Sequence, residues 1–236
     1  MVTGSAWRKS NLRQLRLSLG RYLAILAIVA LGIAFFAGLK AAQPSMLRTG
    51  EDYLRETSFY DYRLISTLGL TQEDVDSFAA QAGVAAAEGV FSVDFTADAG
   101  ERELTLKALS LPQRVNTPKL VAGRLPEKAG ECLADADRFT EADLGKTLTV
   151  QAASVDDAFT QTAFTIVGLA ETPLYLGAER GTTSLGGGTL NGFVLLQPEA
   201  FAMDYFTEIY LLLDGTQGTD LYSDAYDAAV DAVRPA

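Results

Sequence analysis

The chain has 236 residues, 19 of them basic and 30 acidic, with one cysteine, no histidine and a formal net charge of −11. The missing histidine excludes Ser–His–Asp triads, Cys–His dyads and the common catalytic zinc sets, and the lone Cys132 excludes an intrachain disulfide. The acidic balance argues against a nucleic-acid partner, because phosphates are met by clustered Lys and Arg.

The charge is unevenly placed. Residues 1–21 hold five basic side chains (Arg8, Lys9, Arg13, Arg16, Arg21) and no acid. Leu12, Leu15, Leu19 and Tyr22 share one helical face, and Lys9, Arg13, Arg16 and Gly20 the opposite one. This predicts a basic amphipathic helix lying in the cytoplasmic interface, with Trp7 near its start.

Tyr22 to Leu39 reads YLAILAIVALGIAFFAGL without a charge. As a helix it rises roughly 27 Å, enough to cross a bilayer core with modest adjustment at its ends. Secretory signals have shorter apolar runs and end at a small-x-small site. Neither Leu39-Lys40-Ala41 nor Lys40-Ala41-Ala42 supplies one, so the helix is expected to be retained. The positive-inside rule puts the N-terminus in the cytoplasm and the residues after Leu39 outside. Ala30, Ala34 and Gly38 are spaced by four, a small-residue face suited to close packing on another membrane helix. Arg21, Tyr22, Ala30, Ala34, Gly38 and Leu39 are therefore the anchor and helix-packing candidates.

Past the membrane, Pro44 is expected to kink the helix, and Met46–Glu56 continues it as a stalk. Asp61–Thr67 alternates as a strand. Thr71 caps a helix with Asp74 three residues on, Val75, Phe78 and Ala79 as its apolar face, and Gly83 as its stop. Val84–Thr96 and Glu103–Leu111 read as two strands joined at Asp98-Ala99-Gly100, and Pro112–Gly130 as a punctuated loop. Further strands are expected at Glu131–Ala134, Thr147–Ala153, Thr160–Ala170, Gly192–Leu196 and Glu208–Asp214, with a glycine-rich mobile loop at Gly181–Gly192. Thr219–Val233 closes as a helix with Leu221, Tyr222, Ala225, Ala229 and Val233 as its buried stripe. The sum is an α+β domain on a membrane helix. Cys132 is expected to be buried on its strand and inert.

Motifs that carry chemistry fail on inspection. Gly145-Lys146-Thr147 ends like a phosphate loop, but position 140 is threonine and the tripeptide leads into a strand. Asp135-x-Asp137 begins like a calcium loop, yet Phe139 and Thr140 stand where a ligand and a glycine belong, so a solvated turn is expected. Gly186-Gly187-Gly188 lacks the strand–helix setting of a dinucleotide site. The remaining carboxylates read as acidic surface. No catalytic, cofactor-binding or metal-ligating residue is assigned.

Four phrases carry a family likeness: TPKLVAGRLPEKAGECLADADRF (Thr117–Phe139), LGKTLTV (Leu144–Val150), FTIVGLAETPLYL (Phe164–Leu176) and GFVLLQPEAF (Gly192–Phe201). Their order, behind a basic segment and one spanning helix, resembles the N-terminal part of ABC-transporter permeases of the FtsX/MacB type. Lys146 departs from that pattern, which has an acidic residue after the glycine. The family-motif turn comprises Gly123, Arg124, Pro126, Gly130 and Glu131. Gly123 and Gly130 bracket it, and Arg124 is expected to tie it to Glu127 or Glu131.

The resemblance implies an organisation of 1–21 cytoplasmic segment, 22–39 transmembrane helix, 40–57 stalk and 58–236 extracytoplasmic MacB-like core. It implies a permease subunit without enzymatic activity or cofactor, which couples a cytoplasmic ABC ATPase to an extracytoplasmic domain by mechanotransmission, beside a second permease copy or paralogue in the lipid bilayer. Family members continue with further membrane helices, so a sequence ending at Ala236 reads as a truncated product, a fragment or the first piece of a larger permease. The alternative is a single-pass, membrane-anchored extracellular binding or sensor module. An anchored hydrolase is disfavoured by the missing histidines.

Overall fold

The computed structural model describes residues 19–100, 102–151, 157–216 and 218–233. The expected interfacial helix lies almost wholly outside them. The chain divides into two compact units, Met1–Gly50 and Glu51–Ala236.

In the first unit every described residue is helical, part of α1 (Leu19–Glu56, 38 residues). The helix is unbroken at Pro44, where the missing N–H leaves the carbonyl four residues back without its partner. Leu31 is 72% exposed and Phe35 71%, so no described side chain covers the apolar run. The helix is long and apolar enough to cross a membrane.

The second unit is α+β, built in three layers. Its strands are β1 (Tyr62–Leu70), β2 (Val84–Val90), β3 (Ser92–Ala99), β4 (Arg102–Ser110), β5 (Lys119–Gly123), β6 (Glu131–Asp135), β7 (Thr147–Val150), β8 (Ala163–Glu171), β9 (Gly192–Leu196) and β10 (Phe206–Leu213). Helix α2 (Gln72–Ala79) precedes β2, and α3 (Asp224–Val233) follows β10. An antiparallel sheet of three strands runs β1-β10-β2. A larger sheet runs β5-β8-β6-β9-β4-β3-β7, and β7 pairs again with β8. Six of its strands thus close into a barrel, with β5 added beside the C-terminal half of β8. Closure removes the open edges that a flat sheet of this size would present.

Period-two alternation fills the barrel. Phe95 and Ala97, Leu106 and Ala108, Cys132 and Ala134, Phe164 and Ile166, and Val194 and Leu196 all point inward and are essentially inaccessible. Burying each of the larger ones stabilises the fold by about 1.5–3 kcal/mol. Cys132 lies in this interior, where burial pushes its thiol pKa well above the ordinary range. The next residues along these strands point outward. Leu109, Leu133, Phe193 and Leu195 pack against Ala86, Val90 and Tyr210 of the three-stranded sheet. The far face of that sheet (Ile209, Leu211, Leu213) is covered by Val75 and Phe78 of α2 and Val230 and Val233 of α3. At the start of α2, Thr71 Oγ1 accepts from Asp74 N–H while Asp74 accepts from Thr71 N–H at 2.7 Å.

Three expectations need correction. The apolar stretch Val84–Thr96 is two strands, because the chain changes sheets at Phe91, whose ring stacks on Phe201 at 5.2 Å and meets Phe206 at 4.8 Å. The punctuated loop Pro112–Gly130 contains β5, a half-exposed edge strand with no burial alternation to announce it. The last helix begins only at Asp224. Tyr222 N–H is taken by the Asp220 carboxylate at 3.0 Å, Ser223 caps the helix, and Tyr222 is 77% exposed. Such local side-chain bonds compete with helix formation, and the helix face that packs is carried by Val230 and Val233. The glycine-rich segment forms a tight turn in which Thr182 bridges Thr189 and Leu190 N–H donates to Gly181 O.

Candidate functional site

The six anchor candidates, Arg21, Tyr22, Ala30, Ala34, Gly38 and Leu39, are all on α1 and all exposed. Tyr22 is 54% exposed and Leu39 64%, and a Cβ built at Gly38 meets nothing within 4 Å. Ala30, Ala34 and Gly38 form one uncovered strip of the helix.

The motif turn lies in the second unit. Arg124 grips Glu131 with both ends of its guanidinium, Nη1 to Oε2 at 2.8 Å and Nη2 to Oε1 at 2.6 Å. The same carboxylate accepts Glu127 N–H at 2.8 Å. Glu127 is thus joined through its backbone, and its side chain is not the partner. The Arg124 hydrogen bonds, then the Glu127 N–H, hold the Glu131 carboxyl down at about 2. Gly123 has φ +77°, and a Cβ there would sit 2.3 Å from Val167 O. Only glycine lets the turn lie this close to β8. Pro126 O accepts from Gln197 Nε2, and Thr165 N–H donates to Gly130 O at 2.8 Å. The turn is therefore a clasp between β5, β6 and β8.

Asp135-x-Asp137 is not a free solvated turn. Arg180 donates from Nε to Asp135 Oδ2 at 2.6 Å, from Nη2 to Asp135 Oδ1 at 2.9 Å and to Asp137 Oδ2 at 2.6 Å. The side chains of Arg180 and Asp135 are each 2% exposed. The guanidinium also lies 5.6 Å over the Tyr175 ring, which stacks on Phe193 at 5.4 Å. Asp135 is thus held by an internal cation, Asp137 touches the same cation through one oxygen from the surface, and Lys146 pairs with Asp143 at 2.8 Å. Among the described residues no cluster of three metal-ligating acids or thiols exists.

A polar cleft of about 100 Å³ lies between the three-stranded sheet and the barrel, lined by Tyr60, Arg63, Lys107, Leu109, Leu174, Tyr175, Glu208 and Tyr210. Glu208 sits mid-strand on β10, only 5% exposed. It accepts Arg63 Nε and Nη2, both at 2.7 Å, and Tyr210 OH at 2.6 Å. Burial pushes its pKa up, and the hydrogen bonds from Arg63 and Tyr210 outweigh that and hold it below the ordinary value. On the barrel side, β3 and β4 bring Asp94 opposite Lys107, whose ammonium donates to it at 2.5 Å. Burial, with Asp94 and Glu208 nearby, pushes the Tyr175 hydroxyl up to about 12. This cleft is hidden in the sequence, where acids read as surface. The one local signal is Glu208 itself, a lone carboxylate at a core-facing position of the apolar strand FTEIYLLL.

The end of α1 that belongs to the second unit is tied into the fold. Asn116 N–H donates to Ser58 O at 2.9 Å and Thr117 N–H to Thr57 O at 2.8 Å. Ser58 and Asn116 both adopt left-handed conformations, at φ 51° and 58°. Asn116 is fully buried, its Oδ1 accepts Tyr60 N–H at 3.1 Å, and its Nδ2 has no partner. Arg55 donates to Thr219 O, so the segment before α3 joins the same junction.

No family model and no curated relative matches the sequence. Among solved structures, the chain is similar to the extracellular domain of the noncanonic ABC-type transporter YknZ from Gram-positive bacteria, at TM-score 0.42 and 11% identity over 74% of this chain and 90% of that one. It is also similar to the periplasmic region of MacB from Actinobacillus actinomycetemcomitans, at TM-score 0.40 and 13% identity over 71% of this chain and 72% of that one.

Proposed function

We propose that the chain is the membrane-anchored N-terminal part of a permease subunit of the FtsX/MacB type, with residues after Leu39 outside the cytoplasm. The observation that carries this reading is α1, whose uncharged run Tyr22–Leu39 is exposed along its whole length. Such a surface needs lipid or other membrane helices around it. The basic residues before it orient the N-terminus inward. The ordered phrases from Thr117 to Phe201 supply the family. In this reading the organisation is 1–21 cytoplasmic, 22–39 spanning, 40–57 stalk and 58–236 outer domain. A cytoplasmic ABC ATPase partner closes on ATP, and the movement reaches the outer domain through the helix and the bonds at Thr57 and Ser58. Ala30, Ala34 and Gly38 pack on helices of the same permease or a second copy. The motif turn from Gly123 to Glu131 keeps the moved body rigid.

Two measurements test this. Affinity purification of the full chain from its native membranes is expected to recover an ABC ATPase. An impermeant maleimide is expected to label Glu73→Cys in intact cells, and Ser5→Cys only after permeabilisation. Cys132 contributes no background because it is buried. Recovery without any ATPase, or the reverse labelling pattern, sinks the reading.

A second reading, a single-pass binding or sensor module, is favoured by one observation, the donor-lined cleft around Arg63. Retention of a ligand by that cleft together with absence of any ATPase partner selects it.

A further inference from the structure

We propose that the cleft between the three-stranded sheet and the barrel is a carboxylate-binding site. A guanidinium has five N–H donors. Arg63 directs its Nε and Nη2 at Glu208, which leaves the Nη1–Nη2 edge open, on a side chain 41% exposed. Lys107 spends one of its three N–H groups on Asp94. The hydroxyls of Tyr60 and Tyr175 donate to no described residue. The one carboxylate in the lining, Glu208, has both oxygens occupied, Oε1 by Arg63 and Oε2 by Arg63 and Tyr210. Arg63 and Lys107 can only donate and Glu208 is filled, so apart from the two hydroxyl oxygens the unspent capacity of the cleft is donor capacity, and it favours an acceptor.

Charge and size narrow the acceptor. Arg63 and Lys107 each already face an acid, Glu208 and Asp94, so the site offers donors without surplus positive charge. A singly charged group suits it better than a doubly charged phosphate. The cleft, about 100 Å³ and open to solvent on one side, has room for a carboxylate with one or two carbons and lets the rest of a ligand lie outside. The planar open edge of Arg63 matches the two oxygens of a carboxylate. Leu109, Leu174 and the stacked rings of Tyr60 and Tyr210, 5.1 Å apart, give the carbon end an apolar wall. The occupant is a short organic acid or the terminal carboxylate of a peptide whose remaining chain lies outside the cleft. The site stands whether the chain is a permease part or a single-pass module.

The experiment is a 19F NMR titration of the purified full chain with trifluoroacetate. Saturable broadening is expected. Tyr175→Phe, which keeps the ring on Phe193 and removes only the hydroxyl, is expected to weaken binding by about tenfold or somewhat less, and Lys107→Gln by a similar factor. Competition by triglycine but not by its C-terminal amide assigns a peptide terminus. Competition by acetate alone assigns a free acid. Absence of saturation, equal binding by wild type and both variants, or tighter displacement by inorganic phosphate than by either carboxylate overturns the proposal. Because no ATPase enters this measurement, its failure is distinct from failure of the permease reading.

Discussion

Arg180 and Asp135 neutralise each other inside the protein, joined at 2.6 and 2.9 Å with both side chains 2% exposed. The pair fastens the segment after β8 to the end of β6, and it places Tyr175 beside the interlayer cleft.

Removing one partner strands the other. Arg180→Met is expected to lower stability by about 3–5 kcal/mol, because Asp135 stays buried without its cation. The double variant Asp135→Asn, Arg180→Met keeps an acceptor for Asp137 N–H and is expected to lose clearly less. Urea unfolding of the three proteins checks this. Equal losses in single and double variants would show that the charge is not what matters.

The clasp at the motif turn predicts a pH dependence. Glu131 is held at about 2, below its ordinary value near 4.3. The folded state therefore gains stability that is fully present above that ordinary value and is lost as pH falls from about 4 toward 2. Arg124→Gln is expected to flatten the fall of the urea midpoint across that window. An unchanged slope would show that the exposed pair is screened into irrelevance.

Gly123 is expected to tolerate no side chain. Gly123→Ala meets left-handed strain of about 1–3 kcal/mol, and its Cβ would lie 2.3 Å from Val167 O. Hydrogen exchange is expected to show β5 detached from β8 while the barrel interior stays protected. Wild-type protection at β5 would refute the close approach.

Asn116→Ala tests the junction at the end of α1. It removes the acceptor of Tyr60 N–H and leaves alanine in a left-handed conformation, at a cost of about 1–3 kcal/mol each. If the junction transmits movement, ATPase-coupled activity of the complete assembly falls further than the loss of folded protein accounts for. Activity that merely follows folded protein would make the junction structural only.

Gly38→Leu and Ala34→Leu probe the strip on α1. Both are expected to reduce co-purification with membrane partners while leaving the melting of the second unit unchanged. Undiminished recovery would show that partners use another face.

Much of the second unit is legible in the sequence because local patterns agree with the fold. The pattern of Gly192–Leu196 marks the ends of β9, Thr71 with Asp74 marks the cap of α2, and Arg124 has an acid of its own turn within reach. What escaped depended on distance along the chain. Nothing near Phe91 says that β2 and β3 belong to different sheets. That is decided by Phe201 and Phe206, more than 100 residues on. Likewise β5 is a strand only because β8 lies beside it, and Asp135 is an internal ion only because Arg180 reaches it.

By itself the sequence determined what depends on composition and period: an uncharged run long enough to span a bilayer, the charge asymmetry around it, the alternation of the barrel strands, and the absence of histidine chemistry. The tertiary structure alone decided which acids are buried and which donors remain unspent. Burial and hydrogen-bond saturation are properties of neighbours in space, so the cleft of Arg63, Lys107, Tyr175 and Glu208 exists only once two sheets have packed face to face.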